Sequence, residues 1–385
     1  MIFDAELLSY ATVRQLEVIR AIEQTGSQRK AAKALGVAKS TVQAAVDGLR
    51  RRAALQGWSP AHDMTKTVPE PFVVRGTSTL YKDGIAKIQW VKTRLDDNKH
   101  QEMMLAAIEG FKDEIPKAAL VNPPALGNEK LCNCYVITDY HFAALSWIEE
   151  TGADWNSEIA EETIIKWFQQ AIAQSPKANY AVFAQLSDLL HFDGMDAVTP
   201  ASKHLLDVDS RFSKVVRSII RILRAIIKML LEKYSFLHLI MADANHDPVS
   251  QIWLREWFSV LFEDEPRITV DTSPNPYNAY EFGNTALFFH HGHKRNVSNV
   301  SVVFASQFRE IFGRTKYAYA HMGHLHHIDI KENNLMIVEQ HRTLAANDAY
   351  GARGGYLSGR DAKVITYHRE FGEVSRLTIN TAMLA

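Results

Sequence analysis

Ala320-His-Met-Gly-His-Leu-His-His327 decides how this chain is read. A Gly-His-x-His turn (Gly323, His324, Leu325, His326) follows directly on the short apolar run at 317–320. A tight turn at the end of a strand sets two imidazoles side by side, and neutral imidazole is the commonest transition-metal ligand. Sixteen histidines in 385 residues will make some close pairs by chance. What gives the turn its meaning is the ordered series upstream: Asp139-Tyr-His141, Ser187-Asp188-Leu-Leu-His191, Ala244-Asn245-His246-Asp247 and His290-His291-Gly292-His293. Each ends an apolar, strand-like run, at 134–138, 180–186, 236–241 and 285–289 respectively.

From about residue 130 onward these strands alternate with helical patterns, which predicts an α/β layered domain. The clearest helix spans about 209–233, with Phe212, Val215, Val216, Ile219, Ile222, Leu223, Ile226 and Leu230 on one side. Arg217, Arg221, Arg224 and Lys228 lie on the other, a pattern that fits a solvated face or a phosphate track. Strands that end in ligand-type residues bring those residues to one edge of a sheet, where α/β folds place their sites. The donor set is two aspartates, one asparagine and several histidines, with no thiolate. It suits Mn²⁺ first, with Fe²⁺, Zn²⁺ or Ni²⁺ as alternatives, and not a structural zinc. A bridging carboxylate holds two such ions roughly 3.5–4 Å apart, close enough to arm a water against phosphorus without a side-chain nucleophile.

Size and composition bound the rest. A chain of 385 residues suggests two or three domains, and 46% apolar with 23% charged residues is the balance of a soluble globular protein. No run is long enough to cross a bilayer and the N-terminus has no signal-peptide pattern, so a cytoplasmic protein with no membrane partner is expected. Cys132 and Cys134, one residue apart, read as free thiols. A formal net charge of −1 gives no general pull toward nucleic acid, which leaves local basic patches to supply it.

The first 66 residues read as three short helices. Thr12 caps the first and Gly26 stops it; Ser27 opens an alanine-rich second helix closed by Gly36; the third runs from Ser40 into Arg50-Arg51-Arg52. This is helix-turn-helix geometry, with Lys39, Ser40, Thr41, Gln43, Arg50 and Arg51 offered to DNA. A three-helix protein-binding module reads the same at this level. Residues 67–129 read as a connector: a β-hairpin around Lys82-Asp83-Gly84, a helix over 96–117, and a linker at 122–127. A third domain occupies 130–385 and ends in closing strands around a Gly-rich loop, 351–360, bearing Arg353 and Arg360 as phosphate clamps or as parts of a plain turn. Homodimerisation is compatible with the helical unit, and no residue specifies it.

The ordered blocks D-x-H, D-x-x-H, N-H-D, H-G-H and G-H-x-H resemble the calcineurin-like metallophosphoesterase superfamily, over about 139–326. Asp188-Leu-Leu-His191 and the tail are more similar to its DNA-repair exonuclease branch, and the helical unit in front resembles fusions found in phage and prophage genomes. The resemblance implies a β-sandwich flanked by helices and two divalent ions. Asp139, His141, Asp188 and His326 would hold the first ion, with Asp188 bridging, and Asn245, His291 and His324 the second. It implies that His246 contacts phosphate and protonates the leaving oxygen, and that His191 positions substrate. Ser187 and Ala244 stand where the family has glycines, residues that let a backbone turn sharply. The implied function is a two-metal phosphodiesterase cutting DNA in the bacterial host's cytoplasm. The rival readings are a DNA-binding regulator with a vestigial phosphoesterase fold, and a phosphatase or cyclic-nucleotide phosphodiesterase.

Overall fold

The structure is a computed structural model that describes residue 3, residues 5–55, 72–82 and 85–95, and residues 121–384 apart from 123, 126, 201 and 202. The helix expected over 96–117 lies outside the described residues. The chain divides into two compact units, 1–116 and 117–385.

In the first unit, helices cover Val13–Thr25, Gln28–Ala34 and Lys39–Leu55. Thr12 and Gln15 cap the first reciprocally, and Gly26 closes it with a left-handed φ of 75°. Val18, Ile19 and Ile22 meet Ala31 and Ala32 of the second helix and Val42, Val46 and Leu49 of the third in one small core. Alanine at the crossing lets the helices approach closely. Lys39, Ser40, Thr41, Gln43, Arg50 and Arg51 all face solvent, and Gln43 Nε2 donates to Asp47 at 2.9 Å. Strands β1 (Phe72–Lys82) and β2 (Ile85–Leu95) form an antiparallel hairpin, from Phe72 opposite Leu95 to Lys82 opposite Ile85.

The second unit contains two sheets. One is built from β3 (Asn128–Ile137), β4 (Ala178–Gln185), β5 (Phe236–Met241), β6 (Ile268–Val270), β12 (Asp361–His368) and β13 (Gly372–Asn380). Its order is β13-β12-β3-β4-β5-β6, with β3 to β6 parallel. The other is built from β7 (Asn278–Phe282), β8 (Thr285–Phe289), β9 (Tyr317–Met322), β10 (Asp329–Glu332) and β11 (Ile337–Gln340). Its order is β10-β11-β9-β8-β7, with β8, β9 and β11 parallel.

Alternation along the strands explains how the layers stack. Cys132, Cys134 and Val136 of β3, Val182 and Ala184 of β4, and Ile365 and Tyr367 of β12 point one way, and there they pack on Leu287 and Phe289 of β8 and Phe282 of β7. The sheets therefore lie face to face. On the outer face of the first sheet Tyr135 and Phe183 pack on Phe168, from the helix Ser157–Gln174. The helix Phe212–Lys233 buries the apolar stripe expected of it except Val216, which is half-buried. On the outer face of the second sheet, Phe288 packs on Phe304 of the helix Val300–Gln307. The result is a helix–sheet–sheet–helix sandwich, a mixed α/β architecture. Among the described residues no helix is long and apolar enough to cross a membrane.

One polar cluster crosses the layer between the sheets. Glu339 of β11 accepts from Lys363 of β12 and, at 3.0 Å, from Arg376 of β13. His341 bonds His321 at 2.9 Å, and His321 bonds the Tyr367 hydroxyl at 2.9 Å. Burial pushes the Glu339 carboxyl up, but His341 and Lys363 beside it override that and hold it at about 2, against its usual 4.5. A depressed carboxyl stabilises the fold fully above its unfolded value and loses that contribution as pH falls toward its folded value; here the contribution is about 3 kcal/mol. Glu339→Gln is expected to lower thermal stability at pH 7, with the gap to the parent narrowing between pH 4.5 and 2. A gap independent of pH in parallel thermal melts would contradict this.

Candidate metal centre

All five ligand-bearing turns converge at the C-terminal ends of β3, β4, β5, β8 and β9. Backbone bonds clip them together: Asp139 N to Ser187 O at 3.0 Å, His141 N to Asp188 O at 3.0 Å, and Gly323 N to His291 O at 2.7 Å. Turning the chain this sharply puts Asp139, His141, Asp188, His324 and His326 at left-handed φ angles between 46° and 76°. Asp and His tolerate that region better than most side chains, and such strain clusters at functional sites. Ser187 also sits at φ 79°, where the resembled family has glycine, and its hydroxyl is tied to the Ala242 carbonyl. Ala244 is not among the left-handed residues, so only one of the two replaced glycines meets a conformational demand.

Three groups of ligand-type atoms result. In the first, Asp139, His141 and His326 bring one donor atom each within 4.8 Å of one another; in the second, Asp139, Asp188, His291 and His324 do the same, and in the third His141, His191 and His246. Asp139 is common to the first two, whereas Asp188, expected to bridge, falls in the second group only. Asn245 joins that group: its Oδ1 lies 2.8 Å from His291 Nε2. His191 and His246 stand beside the first group, with His191 Nδ1 3.2 Å from His141 Nδ1 and the His246 ring 4.7 Å from that of His141. His293 is absent from all three groups and lies 3.9 Å from Asp243.

Supporting contacts orient the donors. Asp139 Oδ2 accepts from Thr138 Oγ1 at 2.6 Å and from His324 N at 2.7 Å, while Thr343 Oγ1 donates to the Asp139 carbonyl at 2.6 Å. Asp188 Oδ1 accepts from the amides of Asn245 and His246 at 3.1 and 2.9 Å. His291 Nδ1 donates to the Leu186 carbonyl at 2.8 Å, which turns its Nε2 toward Asp188 Oδ2 at 3.1 Å. Buried Asp247 takes the Leu190 amide and the Gln251 side chain, holding the Asp188 turn against the Asn245 turn. Thr138 and Thr343 carry no spacing signal that singles them out from sequence, and Asp247 closes the N-H-D block without an expected role.

The residues fit divalent cations. Asp139 and Asp188 are fully buried carboxylates, and Asp139 Oδ1 faces imidazole nitrogens, His326 Nε2 at 3.2 Å and His291 Nε2 at 3.9 Å. Two buried negative charges ringed by imidazoles need positive charge nearby. Burial, with His246 and His191 alongside, holds the His141 imidazole well below its usual range, and burial brings His191 down to about 4. Both rings are neutral at pH 7, and for His141 that is the form ligation requires. His291 and His326 behave in the opposite way: burial pulls both down, yet Asp188 and Asp139 override that and lift His291 to about 9, and Asp139 raises His326. The His291 proton supplies charge that a cation would otherwise bring. A fourth group, the buried trio His321, Glu339 and His341, differs because Lys363 and Arg376 already neutralise its only carboxylate.

Two expectations are corrected. The Gly-rich segment begins with a short helix, Ala349–Arg353, because the Asp348 side chain accepts from Gly351 N and caps it. Both arginines there have protein partners. Arg353 pairs with Glu150 at 2.9 Å, and Arg360 lies over the Trp155 ring at 5.1 Å with its Nε on the Leu344 carbonyl. The nucleic-acid candidates Lys39, Ser40, Thr41, Gln43, Arg50 and Arg51 belong to the other unit.

No protein-family model matches the chain, and no curated protein matches it. Among solved structures it is similar to a conserved protein of Streptococcus pneumoniae TIGR4 described as a predicted phosphoesterase. The identity is 9%, covering 65% of this chain and 98% of that one, with a TM-score of 0.26. It is similar to zinc-complexed Vps29 of Entamoeba histolytica at 9% identity, 65% and 99% coverage and a TM-score of 0.26. A 5'-nucleotidase of Candida albicans aligns at 12% identity, 67% and 53% coverage and a TM-score of 0.31. TM-scores this low carry no weight, so the case for a metal centre rests on the convergence of the side chains themselves.

Proposed function

We propose that this protein is a two-metal-dependent phosphodiesterase that hydrolyses DNA, docked by its N-terminal helical unit. The observation that supports the reading most is that two ligand groups share one buried carboxylate, Asp139. Asp139, His141 and His326 would hold one ion, and Asp188, Asn245, His291 and His324 the other, with Mn²⁺ the best match to an oxygen-and-imidazole set. Divalent ions bound there supply Lewis-acid stabilisation of charge on phosphoryl oxygens and acidify a water. The protein's own part is to orient and to move a proton. His246 Nδ1 donates to the His191 carbonyl at 3.0 Å, so its Nε2 is the nitrogen left to exchange a proton with the leaving oxygen. His191, next to it, positions the scissile group.

For docking, the exposed row from Lys39 to Arg51 on one helix fits a duplex groove. Arg50→Ala and Arg51→Ala are expected to weaken duplex binding and to lower the salt slope by about 0.9 per lost phosphate contact. An unchanged slope in a salt titration would remove the docking role. The central test compares hydrolysis of single-stranded DNA, duplex DNA and small phosphodiesters with Mn²⁺. A protein that binds manganese yet cleaves none of them would sink the reading, and one that purifies unable to bind divalent metal would favour a regulator with a vestigial site.

A further inference from the structure

The three loops around the metal centre are built unequally, and the inequality bears on what the centre takes. On the side of His141 and His326, the short helices Ile148–Thr151 and Ala349–Arg353 pack together and are joined by the Arg353–Glu150 pair. Asp348, which caps the second, lies close enough to His191 and His326 to act on both electrostatically. This side presents large aromatic rings to water: Trp147 is 59% exposed, Tyr350 78% and Tyr356 66%. Arg353 here is paired with Glu150, and with Glu149 and Asp348 beside them the two short helices carry more negative than positive charge. On the side of the second ligand group the chain runs from His291 to exposed Arg295 and to Lys294, which is exposed and pairs with Asp243 at 3.2 Å.

Resting on the phosphodiesterase reading, we propose that the centre takes a single strand. Unpaired bases stack on Trp147, Tyr350 and Tyr356, and the phosphate chain continues past Lys294 and Arg295. Aromatic rings bind bases through their faces, and in a duplex those faces are covered by neighbouring base pairs. An acidic, ring-bearing wall therefore repels an intact duplex backbone and accepts a strand whose bases have swung out. The aromatic side fixes the bases and the cationic side fixes the direction of the chain.

The test is fluorescence anisotropy of the full chain, without added metal, on a short labelled oligothymidylate and on its duplex with oligoadenylate. Trp147→Ala and Tyr350→Ala are each expected to weaken single-strand binding about 5- to 100-fold and to leave duplex binding unchanged. Trp147→Phe should keep most of the parent affinity. Both rings are exposed, so truncation leaves the fold intact, and unchanged duplex binding verifies it. Single-strand affinity equal to the parent in both alanine variants, or an equal loss on both DNA forms, overturns the proposal. Hydrolysis of bis(p-nitrophenyl) phosphate by the parent with Mn²⁺ is read separately. If it is absent while the strand preference behaves as expected, the phosphodiesterase reading fails and the stacking surface stands; if it is present while the alanine variants bind normally, the reverse holds.

Discussion

Asp139→Asn is expected to reduce phosphodiester hydrolysis by about a thousandfold or more, some 4 kcal/mol of transition-state stabilisation, while the chain stays folded. The size follows from position. Asp139 belongs to both ligand groups, so one neutral amide weakens both ion sites at once. The substitution keeps shape, and Asn can still accept the bonds from Thr138 and the His324 amide at Oδ2. What it removes is the charge opposite His326 Nε2, 3.2 Å away, and His291 Nε2, 3.9 Å away. Asp188→Asn and His324→Ala should act in the same direction through the second group alone. Metal content by mass spectrometry, far-ultraviolet circular dichroism and turnover together decide it. Parent-level turnover in a folded Asp139→Asn protein would show that the convergence of these side chains is not catalytic.

Gly323→Ala carries the largest expected structural effect. A β-carbon there would stand 1.8 Å from Thr138 Oγ1 and 2.5 Å from Asp139 Oδ2. Both atoms belong to the bond that aims Asp139, so relief comes only by swinging Thr138 or the carboxylate away. The cost is about 2–4 kcal/mol, in the range of severe overpacking, with metal affinity lost alongside. Gly313, where the same added carbon meets nothing within 4 Å, supplies the control substitution. Equal melting temperatures for the two alanine variants would contradict the close packing of the turn.

The parts of this architecture that could be read ahead of the structure are those in which pattern and burial coincide. Phe236–Met241 and Thr285–Phe289 are predominantly apolar runs, and they are strands with those ends. β3 starts earlier than its apolar run because the exposed polar residues Asn128 to Lys130 extend it, with Asn128 in register with Ala178 of β4. Short β6 and the polar strand β7 carry no periodic signal, and the helix Pro248–Leu261 is apolar on too many sides to show a clean stripe. Ligand-type residues were legible because they sit where each strand stops. Their supports were not: Thr343 reaches Asp139 across 204 positions, and Lys363 meets Glu339 only because two sheets are stacked.

Cys132 and Cys134 point into the layer between those sheets, and both are fully buried with their thiols pushed up by desolvation. A thiolate, the species that alkylating reagents capture, scarcely forms there, and no reagent reaches it. Modification must wait until the two sheets part. The pair is thus an internal clock: the rate at which an alkylating dye is incorporated measures how often the sandwich opens, with no label engineered in.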